Sequence, residues 1–397
     1  MKLPPFALAL LLCMPASAAA DELDAVAGEA LFERNWVAAP TSTDSADGLG
    51  PLFNGKACNS CHKEARAARF FTLDGRLVTR GLVVRVATAE GAPHPVLGRQ
   101  LQDRAVPGLM PEGEIFARLD QDRLVVEIKT MQGSAQDPVV FEPRVAPSLR
   151  GRGLLERVDE RAVLALADPD DRDGDGISGR ARLIVGENGK QRIGRFGVKA
   201  TAASLEEQTA DAAAIDLGLS SPWRKSPYGD CTAAETDCLR MATGQSARLD
   251  GEEMSAEIVQ LIAAYVRSLK PPKYPADPSA EALLAQSGCT ACHHPNMPDA
   301  GSKQLLLIHT DLLLHDLGAE DTGRIGDGFA AAGEWRTAPL MDLDPMNGKR
   351  RYLHGGEAAT LDEAIRLHGG EAAKARDNYL GLTAAEREKL LAWLAKL

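Results

Sequence analysis

The chain has 397 residues, 44 % hydrophobic and 25 % charged, with a formal charge of −11 and a sequence pI of about 5.3. Those proportions belong to a soluble globular protein long enough for two domains. The acidity argues against general nucleic-acid binding and against docking on an anionic membrane.

Residues 1–20 have the form of a cleavable export signal. Lys2 gives the positive end, Phe6 to Met14 the apolar run, and Ala16-Ser17-Ala18-Ala19-Ala20 the small-residue cleavage zone. The run is short for a membrane span, and no later stretch offers the roughly 18 apolar residues that a span needs. Cys13 follows the bulky Leu12, where lipid-attachment sites favour small residues. The expected location is the periplasm, an oxidising compartment.

Leu23 to Trp36 carries apolar residues at helical spacing and leads through a polar loop to GLGPLFNGKACNSCH, which ends at His62. Cys58-Asn59-Ser60-Cys61-His62 and a later stretch, Cys289-Thr290-Ala291-Cys292-His293, both read C-x-x-C-H. The two thiols of such a motif form thioethers to the vinyl groups on one porphyrin edge, and the adjacent His becomes the proximal iron ligand. Two matches behind an export signal predict two covalently bound haem c groups on Cys58, Cys61, His62 and Cys289, Cys292, His293. A four-cysteine zinc site is the alternative; it leaves both histidines unexplained. Of the seven cysteines, Cys231 and Cys238 remain, and an oxidising compartment predicts a disulfide between them.

Residues 69–190 are a different kind of sequence. RLVTRGLVVRVAT and DRLVVEIKT predict short strands. Between them GRQLQDRAVPGLMPEGEI forms a polar loop able to overhang a haem face. Gln100, Gln102, Glu112 and Glu114 are its candidate catalytic groups, since a carboxyl beside a haem-bound peroxide can move protons. Asp171, Asp173 and Asp175 alternate ahead of Gly176, with the Ile177 carbonyl next, as in the first half of a calcium loop. Arg182 stands where a full EF-hand has its bidentate Glu, so a bound Ca2+ draws its other ligands from elsewhere.

EIVQLIAAYVRSL predicts an apolar helix stopped by Lys270-Pro271-Pro272. Pro278 to Gly288 predicts a helix running into the second motif. TAAEREKLLAWLAKL predicts a closing helix with Thr383 and Glu386 as a capping box. Helix, C-x-x-C-H, insertion and closing helix therefore occur twice. The predicted fold is mainly α, with two cytochrome c-like domains at residues 21–272 and 275–397, the first holding a large insertion with short strands and the acidic loop.

Each iron has a second axial face that decides between electron relay and chemistry. For the second haem the candidate ligands rank His315, Met341, His309 and His354. For the first, His94 and Met110 are within reach, but an open face beside Gln100 to Glu114 is the expectation.

The motifs GLGPLFNGKACNSCH, GRQLQDRAVPG, DGDGISGR, GRFGVKA, HTDLLLHDLG, EWRTAPL and the two LHGGEA repeats together resemble the bacterial di-haem oxidoreductases, often labelled thiol oxidoreductases. Those proteins are distantly similar to di-haem cytochrome c peroxidases and to the methylamine-utilisation di-haem enzymes. The resemblance implies a periplasmic protein with two cytochrome c-like domains and a cation near their interface, for which DGDGISGR is the match. Two departures stand out. Val198 occupies a position where the family usually has Trp, and Leu353-His354-Gly355-Gly356-Glu357-Ala358 replaces LHDGRA. The expected function is a peroxidase-like oxidoreductase taking electrons from a small periplasmic cytochrome c or cupredoxin. A non-enzymatic electron carrier and an oxidase acting on another protein are the alternatives.

Overall fold

The computed structural model describes residues 16–41, 47–74, 76–131, 138–186, 189–318 and 323–397. Most of the expected export signal, with Cys13, lies outside the described residues. Among the described residues no helix is long and apolar enough to cross a membrane.

The mainly α expectation is corrected: helices take 29 % of the chain and strands 23 %. The physical reason is the number of short β-branched runs that pair as ribbons. Arg69–Leu73 pairs antiparallel with Arg76–Arg80, Leu82–Thr88 with Val139–Val145, and Gly113–Asp120 with Arg123–Thr130. The later part of the chain also holds ribbons, Asn296–Pro298 with Leu305–Leu307 and Leu314–Asp316 with Glu334–Arg336, where the sequence suggested loops. Among the described residues every sheet has two strands, so each is stabilised by the surface it packs on.

The helices form for local reasons. In Ala256–Ser268 the Ser255 side chain accepts from the Ile258 amide, and Val259, Ile262, Ala263 and Val266 make one buried stripe. That stripe packs on helix Ala16–Glu33, whose Gly28 lets the backbones touch: a Cβ there would lie 1.9 Å from the Leu261 carbonyl oxygen. Asp277 caps Pro278–Gln286, with Pro278 in the first turn. Thr383 and Glu386 close a capping box on Ala384–Leu394.

Leu31, Phe32, Trp36, Phe53, Leu217 and Ile262 centre one hydrophobic core, and Leu283, Leu284, Tyr379, Leu390 and Trp393 another. A further core joins Leu155, Phe196 and Val266 to Ile308, Leu313 and Met341. It therefore crosses the predicted boundary near residue 272. Cys231 and Cys238 form a disulfide.

Candidate functional site

The two C-x-x-C-H motifs are built alike. The His62 amide donates to the Cys58 carbonyl at 3.0 Å and the His293 amide to the Cys289 carbonyl at 2.9 Å. Each turn thereby folds its histidine beneath its cysteines. His62 Nδ1 then meets the Pro147 carbonyl at 2.9 Å, and His293 Nδ1 meets the His309 carbonyl at 3.2 Å. A carbonyl only accepts, so Nδ1 carries the proton and the Nε2 lone pair is left for a metal. Burial is the main reason that both imidazoles are pulled down to about 4, which keeps them in the neutral, ligating form. Cys58, Cys61, Cys289 and Cys292 carry no disulfide, although Cys231 and Cys238 are oxidised.

Protein surrounds His62, Asp216, Arg85 and Arg152, yet each keeps accessible surface. His293, His354 and His368 share that condition. These two sets of enclosed but accessible groups, one with each C-x-x-C-H histidine, form the linings of two candidate haem cavities. The cations fit as well. Burial first, then the neighbouring Arg336 and Arg350, lowers Arg152 to about 9. Burial likewise lowers Arg336 to about 10. Asp342 is the anion felt by both Arg152 and Arg350. Arg350 also feels Asp344 and Arg336 feels Asp311, yet burial still lowers all three guanidiniums, which favours further anionic company such as the acid groups of haem would provide.

The first cavity is lined by acid and amide. Burial, then the Asp216 carboxylate, raises both Cys58 and Cys61 to about 12. Asp216 itself is raised by burial, against the pull of Gln100 and Arg85. Gln100 Nε2 donates to Asp216 Oδ1 and to Asn54 Oδ1, both at 2.7 Å. Gly81 brings its backbone under this motif: a Cβ at its φ of 84° would lie 2.9 Å from the Cys61 carbonyl oxygen. Gln102 and Glu112 sit behind Gln100, fully enclosed, with Gln102 N–H donating to Glu112 Oε2 at 2.5 Å. Glu114 stands apart, on the outer face of its ribbon, 3.9 Å from Lys129. His94 Nδ1 accepts from the Val96 and Leu97 amides, and Met110 is exposed.

The second cavity is lined by imidazole. His368 Nδ1 meets the Ala364 carbonyl at 2.7 Å, so its Nε2 is left for a metal. After burial, His368 is the largest influence lowering His293. His354 stacks on Trp335, ring centroids 4.4 Å apart. Lys199 Nζ lies 3.9 Å and Arg144 Cζ 4.4 Å from the same indole. The Arg336 amide donates to the Val198 carbonyl, so Trp335 stands next to Val198.

His315 is engaged elsewhere. Its Nε2 meets Asp311 at 2.8 Å and its Nδ1 meets Glu371 at 2.9 Å. Burial opposes its charge, but Asp311, Cys292 and Glu371 outweigh burial and push it to about 12. Ligating iron would strip its proton and leave two carboxylates without their cation, a loss of about 3–5 kcal/mol for a buried pair. His309 stacks on Tyr274 and bonds its hydroxyl at 2.7 Å. Met341 packs into the shared core with its sulfur near Gly151.

In the acidic loop, Asp171, Asp173 and Asp175 each offer an oxygen within 4.8 Å of the others. Past Ile177 the loop reaches the later half of the chain, where Ser178 Oγ donates to Glu371 at 2.6 Å and Arg180 pairs with Glu334 at 2.6 Å.

Sequence reasoning missed Asp216, Arg85 and His368. A signal for His368 was available in the second LHGGEA repeat, which sets a His one turn past an acidic helix start.

A family model described as "Di-haem oxidoreductase, putative peroxidase" matches residues 12–76 and 117–397. The chain belongs to that family. The unmatched residues 77–116 hold Gln100, Gln102, Glu112 and Glu114. No curated protein matches the chain. Among solved structures, the chain is similar to hydrazine synthase from Kuenenia stuttgartiensis, with 14 % identity, 100 % of this chain and 98 % of that one covered, and a TM-score of 0.35. It is also similar to a MauG-like protein associated with microbial copper homeostasis, with 16 % identity, 62 % and 86 % covered, and a TM-score of 0.28. Superpositions that loose carry no argument about chemistry.

Proposed function

We propose that this di-haem oxidoreductase is a periplasmic peroxidase-like enzyme with two covalent haem c groups. Hydrogen peroxide is reduced at the N-terminal site, and electrons enter at the C-terminal site from a small cytochrome c or cupredoxin. The observation that carries this reading is the unequal lining of the two cavities, acid and amide in one, imidazole in the other.

Bound haem supplies one-electron redox chemistry. Cys58, Cys61, Cys289 and Cys292 would attach the haems, and His62 and His293 would offer a nitrogen to each iron. At the C-terminal site His368 would offer a further nitrogen, leaving small oxidants no place there. Arg152, Arg336 and Arg350 would meet the acid groups. At the N-terminal site burial raises Asp216 above the ordinary carboxylate range, and Gln100 orients its carboxyl. Reducing hydrogen peroxide to two waters takes two electrons and two protons, so an acid at that cavity is the group the reaction needs.

Asp171, Asp173, Asp175 and the Ile177 carbonyl are proposed to hold Ca2+, which would brace the Ser178 and Arg180 contacts. EGTA should then lower Tm and added Ca2+ restore it; indifference to both would remove the ion from the account.

The functional test is haemochrome quantitation followed by stopped-flow mixing with hydrogen peroxide and a reduced periplasmic cytochrome c. Two haems per chain and oxidation of the donor by peroxide are expected. A protein that carries two haems but ignores peroxide is an electron carrier, and the reading fails.

A further inference from the structure

Glu235 lies inside the loop closed by the Cys231–Cys238 disulfide, where the Thr232 amide donates to its Oε2 at 2.8 Å. It is 4 % exposed, and Glu112 is 0 % exposed. Each carboxyl acts on the other as a side-chain hydrogen-bond partner. Each has one oxygen satisfied by a backbone amide, Gln102 N–H for Glu112 and Thr232 N–H for Glu235. The other oxygen of each, Oε1, is buried without any donor.

Two ionised carboxylates cannot face each other in that way, because neither has a proton to give. A divalent cation between them would need six or more oxygens. The other carboxylate near the pair, Asp230, is already held by the Arg99 side chain and by the Arg99 and Gln100 amides.

We infer that Glu112 and Glu235 hold a single proton between them, and that the disulfide loop serves to set Glu235 against Glu112. Glu235 is thus a positioning residue that keeps Glu112 charged with a proton at neutral pH. Burial is the first cause of the rise of Glu112 to about 10, with Glu235 and Asp230 adding to it.

The pair stands behind the N-terminal cavity. Gln102 bonds Glu112 through its amide and the Gln100 carbonyl through its side chain at 3.3 Å, and Gln100 in turn bonds Asp216. A proton store at this place serves a cavity that consumes protons, so its use rests on the function proposed above. Its existence does not. The segment carrying Glu112 falls within the residues the family model leaves unmatched.

The test is infrared spectroscopy of the full-length, haem-loaded protein at neutral pH, in H2O and D2O, as difference spectra between wild type and E112Q or E235Q. One protonated-carboxyl band, shifted in D2O and moved or lost in each variant, is expected. The C231S/C238S variant should retain the band but titrate it at lower pH, because Glu235 is no longer pinned. A wild type without the band overturns the proposal. So does a band that survives E235Q unchanged, or one that emerges only after chelator treatment, which would mean that a cation holds the pair. These outcomes are read without peroxide, so a protein indifferent to peroxide could still show the band.

Discussion

The N-terminal and C-terminal cavities share one construction and differ in one respect. Both start from a C-x-x-C-H turn and a histidine with Nδ1 on a backbone carbonyl. Asp216, Gln100 and Arg85 accompany the first turn; His354 and His368 accompany the second. Acid and amide groups can deliver a proton but do not hold haem iron firmly, whereas a free imidazole nitrogen closes it. On the function proposed, one scaffold used twice would give a reactive site and a relay through a few side chains outside the motif.

The harshest way to break the comparison is to delete either motif. C58S/C61S and C289S/C292S should each halve the haem content by pyridine haemochrome. Retention of both haems in either variant would show that the motif is not an attachment site. Next in size is Asp216→Asn, expected to slow the peroxide reaction about 10²–10⁴-fold, the range for losing a positioned acid. Stopped-flow rates check it, and an unchanged rate would move the acid elsewhere.

His315→Gln separates structure from ligation. It should cost about 3–5 kcal/mol by urea unfolding, since Asp311 and Glu371 lose their buried cation. The spin state of both haems should stay as it was; a new high-spin signal would make His315 a ligand after all. The smallest effect concerns pH. Glu112 has its folded pKa raised, so its contribution is full below the ordinary carboxylate range and is lost as pH rises toward about 10. E235Q should flatten that alkaline decline, measured as urea midpoints across the window. Parallel curves for the two proteins would contradict the pairing.

The two C-x-x-C-H turns were legible because their residues are contiguous: Cys58 to His62 and Cys289 to His293 each fold as one turn that could be read from five letters. Helix ends were legible for the same reason: Thr383 and Glu386 act across one turn. The cavity linings were not. Asp216 meets Gln100 from 116 residues away, and Glu371 reaches His315 from 56. No local pattern records such meetings, and without Glu371 the ranking of His315 as a ligand was a natural one. Strand content was underestimated because two- and three-residue pairings such as Leu52–Phe53 with Arg104–Ala105 form only once the chain has folded.

The central claim is that one haem face is open and the other closed by His368. Electron paramagnetic resonance of the purified protein, with and without one equivalent of hydrogen peroxide, tests it most directly when wild type and His368→Ala are compared. The account predicts one high-spin and one low-spin haem in the wild type, a peroxide response confined to the high-spin signal, and two high-spin haems in H368A. Two low-spin haems indifferent to peroxide in the wild type would contradict it.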